Sequence, residues 1–431
     1  MLRTRTCIGI WDKCRRIYKA GGGRTLWKRS ARYAQRLLRR CCRCFLATGL
    51  PRSAPEELRR AGTFLILDHD AGGGANAFRE QMAKRLLNEG RGLLVWQYLG
   101  GVDRYLLEWR LGKKCVRYRA QRLEECLDFL RSLAPETLFL NSIVGWPRIE
   151  ATLDGIAALG ANSRLEVFLH DFFAVCPAYP LLAKSGRFCG IPEDLNLCGR
   201  CLPGHPFAAP HTNPDVRTWR RVWQRFLLQA DTITMADASG RKLVARVYPA
   251  IAEHIAVKPL APLRHWQPLP APLPPEAGEM TVIGVVGNIA RHKGAAIVED
   301  LARLVDERKL PLAITVIGEL ESSMHHPRLK VTGTYAHDRL PELLRRWKVA
   351  VCLVPSPLPE TFCYAAQEVE MLGLPLVCLD LGAQGQRAWR YARGHVAPSP
   401  DAVGCLAAIL AALELPDGGR DAAVEERGFQ C

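Results

Sequence analysis

Residues 281–307 read TVIGVVGNIARHKGAAIVEDLARLVDE, a pattern typical of an α/β fold. An apolar run at 281–286 is followed by a turn bounded by Gly287 and Gly294, and then by apolar residues at helical spacing in 295–307. This order predicts a buried strand, a tight turn and a helix. Such a turn points backbone N–H groups and the positive end of the helix at an anion, and Lys293 adds a full charge. The stretch therefore predicts a diphosphate site, with a tight turn that binds nothing as the alternative.

The same alternation of apolar runs and helical patterns extends along the chain in both directions. Toward the C-terminus we predict strands at 312–317, 349–354 and 376–379 and helices near 340–347 and 364–372. Toward the N-terminus the predicted strands are 64–67, 93–98, 137–140, 165–169 and 232–235, with helices such as 78–88 and 218–229. Strands that alternate with helices form parallel sheets covered on both faces. We therefore expect an α/β protein with two doubly wound domains in series.

A proline-rich segment separates the two predicted domains. Seven prolines fall between residues 259 and 275, which leaves no room for regular structure and is typical of a linker. The predicted organisation is given by five ranges: an N-terminal extension at 1–60, a first domain at 61–258, the linker at 259–278, a second domain at 279–415 and a tail at 416–431.

The net charge of +16 is concentrated in the N-terminal extension. Residues 1–60 contain 17 Lys and Arg against three acids, a net charge of +14, so the other 371 residues carry only +2. Within 25–45, apolar residues recur every three or four positions and basic residues fill the gaps, which predicts a basic amphipathic helix. Such a helix binds an anionic membrane surface. A solvated helix docked on the protein's own surface and an organelle transit peptide are the alternatives.

Other features of the composition narrow the class of protein. No signal-peptide core and no run of about 20 apolar residues is visible. The 16 cysteines are scattered, which favours a reducing compartment in which most of them are small buried hydrophobes. Nucleic acid is not an expected partner, because the folded part is nearly neutral and has no aromatic-plus-basic RNA motif. We expect a cytoplasmic protein, peripheral on the inner face of the cell membrane.

Two glutamates flank the start of a predicted helix in the second domain. Residues 359–368 read PETFCYAAQE, with Glu360 in the loop before the helix and Glu368 inside it. Eight residues make a little over two helical turns, so the two carboxylates share one face. Either carboxylate can accept hydrogen bonds from sugar hydroxyls. The alternative is a capping acid followed by a surface acid.

The glycine turn, the later glutamate pair and the Gly-Leu-Pro that follows at 373–375 together resemble glycosyltransferase family four, the bacterial polysaccharide-type group 1. The similarity covers most of residues 280–396. It implies the GT-B fold, in which two Rossmann-like domains face each other across a cleft. It also implies that Glu360 contacts the transferred sugar, Glu368 the ribose and Lys293 the diphosphate of a nucleoside diphosphate sugar.

The resemblance assigns further donor-binding residues around these three. The backbone N–H groups of Phe362 and Cys363 would cap a phosphate, and the turn that begins at Gly287 would hold the diphosphate. The family commonly has Arg where this chain has Asn288. Either Arg291 substitutes for that cation, or the site relies on Lys293 and the helix N-terminus.

The first domain carries two features that match the same family. Gly72, Gly73 and Gly74 follow the first strand of the domain, and in the family the corresponding loop contacts the donor phosphates or the acceptor. His170 follows the strand at 165–169, where open parallel sheets bind ligands. In the family a His at this strand end hydrogen-bonds the donor sugar. The alternatives are a simple turn and a structural histidine.

Four cysteines follow the His170–Asp171 step. Cys198 and Cys201 have the Cys-x2-Cys spacing of half a tetrahedral zinc site, whereas Cys176 and Cys189 are too far apart in sequence to form the other half in the usual way. A structural zinc that pins this loop is therefore predicted, with free thiols or a disulfide as the alternatives.

The resemblance implies a retaining glycosyl transfer in which the leaving phosphate takes the acceptor proton. No Asp-x-Asp motif lies in a position that argues for Mg²⁺, so no cofactor is expected for the chemistry itself. The basic helix favours a lipid-linked or growing surface polysaccharide as the glycan acceptor, by analogy. A soluble transferase that acts on a protein or small glycoside, and a nucleotide-binding module without catalysis, remain the alternatives.

Overall fold

The structure is a computed structural model. It describes residues 46–60, 63–209, 215–270 and 278–414, together with Leu38, 41–44, Thr212 and Glu276. The described residues form two compact units, of which the first runs to Leu263 and includes Leu358–Tyr364. The second contains Arg264–Pro357 and the chain from Ala365 onward. Nearly all of the predicted basic helix at 25–45 and the tail at 416–431 lie outside the described residues.

The first unit is built on a sheet that has nine strands within the described residues. These are β1 (Thr48–Gly49), β2 (Thr63–Asp68), β3 (Gly92–Leu99), β4 (Arg104–Leu111), β5 (Lys114–Ala120), β6 (Thr137–Leu140), β7 (Arg164–Phe168), β8 (Thr232–Met235) and β9 (Ile255–Val257). Their order across the sheet is β1-β5-β4-β3-β2-β6-β7-β8-β9. Strand β4 is antiparallel to both of its neighbours, and the other pairs are parallel.

Helices cover both faces of this sheet, as the complete burial of β2 and β3 requires. They are α1 (Glu56–Arg60), α2 (Gly74–Asn88), α3 (Leu123–Leu133), α4 (Ile149–Gly160), α5 (Leu195–Cys201), α6 (Val216–Leu227) and α7 (Ala238–Val247). Helix α6 shows how the sequence specifies them. The Asp215 carboxylate caps its N-terminus by accepting from Arg217 N and Thr218 N, and its buried apolar residues recur every three or four positions.

The antiparallel hairpin of β4 and β5 carries a buried charge. Glu108 is only 3% exposed, and its carboxylate accepts from Arg110 and from Arg117 Nε, the latter at 2.5 Å. Arg43 Nη2 lies 3.7 Å from Glu108 Oε2 and donates to Gln97 Oε1 at 2.9 Å. The described end of the N-terminal extension is therefore anchored on the first sheet, and removing it would leave a buried carboxylate with one fewer partner.

The second unit contains a parallel sheet with six strands among the described residues. They are β10 (Thr281–Ile289), β11 (Leu312–Leu320), β12 (Leu329–Val331), β13 (Val349–Val354), β14 (Leu376–Leu379) and β15 (Gly394–Ala397). The helices are α8 (Ala295–Glu307), α9 (Leu340–Arg346), α10 (Tyr364–Met371), α11 (Gly382–Arg390) and α12 (Ala402–Glu414). The strand order is β12-β11-β10-β13-β14-β15, so the direction of winding reverses between β10 and β13. Open α/β sheets bind ligands at such a switch point.

The prediction of two doubly wound α/β domains is confirmed, and the first sheet departs from parallel pairing at β4. The sequence pattern also missed the short strands β1, β9, β12 and β15. No described residue between Val257 and Thr281 lies in a helix or strand, where the linker was predicted. Within the described ranges, no helix is both long enough and apolar enough to cross a bilayer.

Candidate active site

The predicted diphosphate turn lies at the switch point of the second sheet. After β10, a 3-10 turn at Arg291–Lys293 leads into α8 through Gly294, whose φ is +91°. A Cβ atom at Gly294 would collide with the backbone carbonyl of Pro355, just beyond β13. Glycine therefore allows the turn to pack directly against the neighbouring strand end. The first turn of α8 has no side-chain cap, so its backbone N–H groups can serve an anion.

The two basic residues predicted to bind phosphate, Lys293 and Arg291, lie on this turn together with Asn288, and they differ in solvent exposure. Lys293 is half-buried, whereas Arg291 and Asn288 are exposed. The backbone N–H of Arg291 donates to Glu321 Oε2 at 3.2 Å, which fixes the turn against the segment after β11. The half-buried ammonium of Lys293 next to the start of α8 is the arrangement that would neutralise a phosphate.

The carboxyl ends of β10, β11 and β12 are tied closely together beside the turn. Gly287 and Gly318 pair in register, and a Cβ atom on Gly318 would collide with the Gly287 carbonyl. The next connection is held by Gly333 N, which donates to Gly318 O at 2.8 Å, and by Thr332 Oγ1, which accepts from Gly318 N at 3.1 Å. These bonds position the segment that follows β12.

Glu368 lies inside α10 and is buried. Its Oε1 accepts from Nε2 of His337 at 2.6 Å, across 31 positions of sequence. Burial raises the pKa of the Glu368 carboxyl, and the hydrogen bond and charge of His337 oppose that rise. Helix α10 thus presents a carboxylate whose orientation is fixed by a residue of another element.

Glu360 belongs to the segment that packs with the first unit. Its side chain is buried, and the next residue, Thr361, donates through Oγ1 to the backbone carbonyl of His170. Phe362 and Tyr364 pack on an apolar cluster that contains Phe168. The structure therefore brings the Glu360–Thr361 step to the end of β7, beside His170, and places Phe362 and the buried Cys363 in the same segment.

His170 is held as a neutral imidazole at the end of β7. Its ring stacks on Phe168 at 4.2 Å between centroids and contacts Phe78 at 4.9 Å. Burial lowers the pKa of His170 to about 3. Its Nε2 is buried and has no hydrogen-bond partner among the described residues. A neutral ring with one unsatisfied nitrogen can serve a hydroxyl ligand without carrying charge.

The glycine loop after β2 lies near the same end of the first sheet. Gly72 and Gly73 have φ values of 85° and 88°, and a Cβ atom at Gly74 would lie 3.1 Å from the ring of Tyr364. The loop is braced by the fully buried Asp68, whose Oδ2 accepts from Arg79 Nη1 at 2.8 Å and from Asn76 Nδ2 at 2.5 Å. The loop, His170 and Glu360 are thus gathered within the first unit.

Three residues around these sites were not predicted from the sequence. Asp68 could have been found, since an acid that ends a buried strand needs a partner. The buried Ser356 hydroxyl, just after β13, has no partner among the described residues, and no sequence signal marks it. His337 is exposed enough to look like a surface histidine in the sequence, and only the fold reveals its bond to Glu368.

The four predicted zinc ligands are free thiols in the structure. Burial raises the pKa of Cys176 to about 12, and burial likewise raises the pKa values of Cys189 and Cys198. Among the described residues, no group of three or more His, Cys, Asp or Glu side chains is arranged to hold a metal ion. The zinc site stays a prediction, and elemental analysis of protein purified without chelator would decide it.

Comparison with known proteins identifies the fold. No protein-family model and no curated protein matches the chain. Among solved structures it is similar to sucrose-phosphate synthase from Thermosynechococcus elongatus, at 15% identity and a TM-score of 0.54, over 81% of this chain and 89% of that one. It is also similar to HepE of Anabaena in complex with UDP, at 14% identity and a TM-score of 0.51, over 81% and 89% of the chains.

A structure of HepE in complex with UDP-glucose matches to the same degree, with 14% identity, a TM-score of 0.51 and 82% and 90% of the two chains covered. Together with the two doubly wound units, these likenesses show that the chain has the GT-B fold. At such low identity they establish the fold and leave the activity to the site itself.

Proposed function

We propose that this protein is a glycosyltransferase that uses a nucleoside diphosphate sugar as its donor. One observation carries the proposal: the switch point of the second unit combines the uncapped start of α8, the half-buried Lys293 and, on α10, a buried carboxylate at Glu368. A positive helix end and an ammonium suit a diphosphate, and a carboxylate suits the ribose hydroxyls. The UDP and UDP-glucose complexes of HepE support the same class of donor.

Within the second unit we assign the diphosphate to the turn that contains Gly287, Asn288, Arg291 and Lys293, and the ribose to Glu368. In the segment Leu358–Tyr364, which groups with the first unit, the backbone N–H groups of Phe362 and Cys363 would serve a phosphate oxygen. Lys293 would supply one positive charge to the departing diphosphate. Because Asn288 stands where the family commonly has an Arg, the second positive charge would come from Arg291 or from the N-terminus of α8.

Within the first unit we assign the transferred sugar to His170 and Glu360. The neutral His170 ring offers its unpartnered Nε2 to a sugar hydroxyl, and the buried Glu360 carboxylate can accept from another. The loop at Gly72, Gly73 and Gly74 would approach the phosphates or the acceptor, because its left-handed backbone leaves no side chain in the way.

We propose that the transfer retains the anomeric configuration and does not need a metal ion. The bond between the anomeric carbon and the diphosphate oxygen breaks, and the acceptor oxygen bonds to the same face of that carbon. The acceptor proton passes to the leaving phosphate oxygen. Lys293 and the N–H groups at the start of α8 support this proposal, because they can stabilise the negative charge that develops on the departing diphosphate.

The experiment that tests the donor class is a thermal-shift panel of ADP, GDP, CDP, UDP and their sugars. We expect at least one nucleoside diphosphate to raise the melting temperature, because a ligand that binds only the folded state stabilises it, by about 2.7 kcal/mol at 100 times its Kd. No shift with any of them would contradict a nucleotide-sugar donor. Binding without any transfer to glycan acceptors would favour the alternative of a non-catalytic nucleotide-binding module.

For the acceptor we propose a lipid-linked or growing surface polysaccharide, reached at the inner face of the cell membrane. The basic charge of residues 1–60 supports this choice, because anionic lipid attracts each basic residue by about 1 kcal/mol. A soluble transferase that acts on a protein or small glycoside is the alternative. Sugar transfer to a soluble acceptor, without transfer to a lipid-linked one, would favour it.

Removing residues 1–37 is expected to abolish binding to anionic vesicles while leaving nucleotide binding intact. The cut stops before Arg43, because Arg43 pairs with the buried Glu108 and its loss would disturb the first sheet. Binding of the full chain should weaken with added salt, since screening shortens the electrostatic reach to about 8 Å at physiological ionic strength. Co-sedimentation with anionic and neutral vesicles measures both effects. Equal sedimentation of the truncated and full chains would contradict the membrane assignment.

A further inference from the structure

The ribose-binding glutamate proposed above is not an isolated side chain. His337 Nε2 donates to Glu368 Oε1 at 2.6 Å, and its imidazole ring lies next to the indole of Trp266, with 5.1 Å between ring centroids. The histidine therefore has two partners, the Glu368 carboxylate and an aromatic ring of the linker segment.

The two partners come from different elements of the second unit. His337 begins the 3-10 turn His337–Arg339, which follows β12, whereas Glu368 lies on α10. The connection after β12 is itself tied to the end of β11 through Gly333 and Gly318. The hydrogen bond thus fixes a helix side chain relative to the carboxyl ends of the strands, where ligands bind in such sheets.

Glu368 and His337 differ in how far their side chains are exposed to solvent. The side chain of Glu368 is 10% exposed and that of His337 is 35% exposed. Burial alone raises the pKa of the Glu368 carboxyl, and His337 counters this effect by its hydrogen bond and its charge. Burial and the negative charge of Glu368 also raise the pKa of the nearby Tyr335 hydroxyl, which therefore stays neutral beside the carboxylate.

We propose that His337 is a positioning residue for the donor ribose, holding Oε1 of Glu368 so that Oε2 faces the 2′- and 3′-hydroxyls. This inference rests on the proposed function, because it needs a nucleotide ligand at Glu368. A carboxylate that is free to rotate loses part of its hydrogen-bond energy to ordering, whereas one fixed by His337 and Trp266 is already in place. His337 touches the glutamate and acts on the ligand through it.

The inference predicts a specific loss in the variant His337→Ala. The wild-type chain is expected to bind a ribonucleoside diphosphate at least about tenfold more tightly than its 2′,3′-dideoxy counterpart, the effect of losing a hydrogen bond to a charged group. In His337→Ala this ratio should fall to about threefold or less. In His337→Gln it should return, because the amide nitrogen of Gln reaches the position of the imidazole Nε2.

Isothermal titration of ADP, GDP, CDP and UDP, each with its dideoxy counterpart, measures the ratio. His325→Ala is the control, since His325 is exposed and its Nδ1 lies 3.1 Å from the nearby Ser323 carbonyl. A merely structural role for His337 would lower the affinity for both nucleotides equally and would leave the ratio unchanged, which would overturn the inference alone. If the wild-type chain binds none of the four ribonucleotides, the proposed function fails together with it.

Discussion

Lys293→Ala and Glu360→Gln are each expected to lower the rate of sugar transfer at least about tenfold, which corresponds to about 1.4 kcal/mol of transition-state stabilisation. Lys293 is a half-buried lysine beside the start of α8, so its loss would remove a cation from the proposed diphosphate site. Glu360 is buried, and the Gln variant removes its charge while keeping its volume. Steady-state kinetics with the donor found in the nucleotide panel measure both effects.

The fold should survive both substitutions, and melting curves check this. Lys348→Ala is the matched control, because Lys348 is an exposed lysine of the same unit that pairs with the exposed Glu279 at 2.8 Å. It should transfer sugar at the wild-type rate. Near-normal turnover in both Lys293→Ala and Glu360→Gln would contradict the proposed donor-binding roles of these two residues, whatever the control does.

The parts of the fold that the sequence predicts well are those whose signal is local. Strands β2, β3, β10 and β13 are runs of buried apolar residues between helical patterns, and each was placed to within a few residues. The hairpin of β4 and β5 was missed, because charged residues interrupt the apolar runs of both strands. Glu108 pairs with Arg110 on its own strand and with Arg117 across the hairpin. Glu108 is buried in the sheet between Leu107 and Trp109, although a glutamate in a sequence usually marks a solvated position.

The same distinction separates the predicted site residues from the missed ones. The glycine turn and the glutamate pair are contiguous motifs, so the sequence alone marks them. His337 lies 31 positions before its partner, and the bond forms only because the connection after β12 is brought next to α10. The grouping of Leu358–Tyr364 with the first unit was also beyond the sequence, since it depends on the packing of Phe362 and Tyr364 on apolar residues far earlier in the chain.

Gly294→Ala is expected to lower the free energy of unfolding of the second unit by about 3 kcal/mol and to weaken nucleotide binding with it. Two physical effects add up. A left-handed backbone at φ +91° costs an alanine about 1–2 kcal/mol, and the collision of its Cβ with the Pro355 carbonyl forces a backbone shift that costs about 1–3 kcal/mol. Denaturant unfolding and calorimetric titration with the best nucleoside diphosphate measure the two consequences.

Gly333→Ala separates the two effects, because Gly333 has nearly the same φ, +85°, in the same unit, and a Cβ atom there would meet nothing within 4 Å. It should therefore suffer only the backbone cost, and the difference between the two variants isolates the contact with Pro355. That contact packs the turn before α8 against the end of β13 at the switch point. If the two variants are equally stable and bind nucleotide equally well, close packing of the turn is not what the glycine provides, and the turn must owe its position to other contacts.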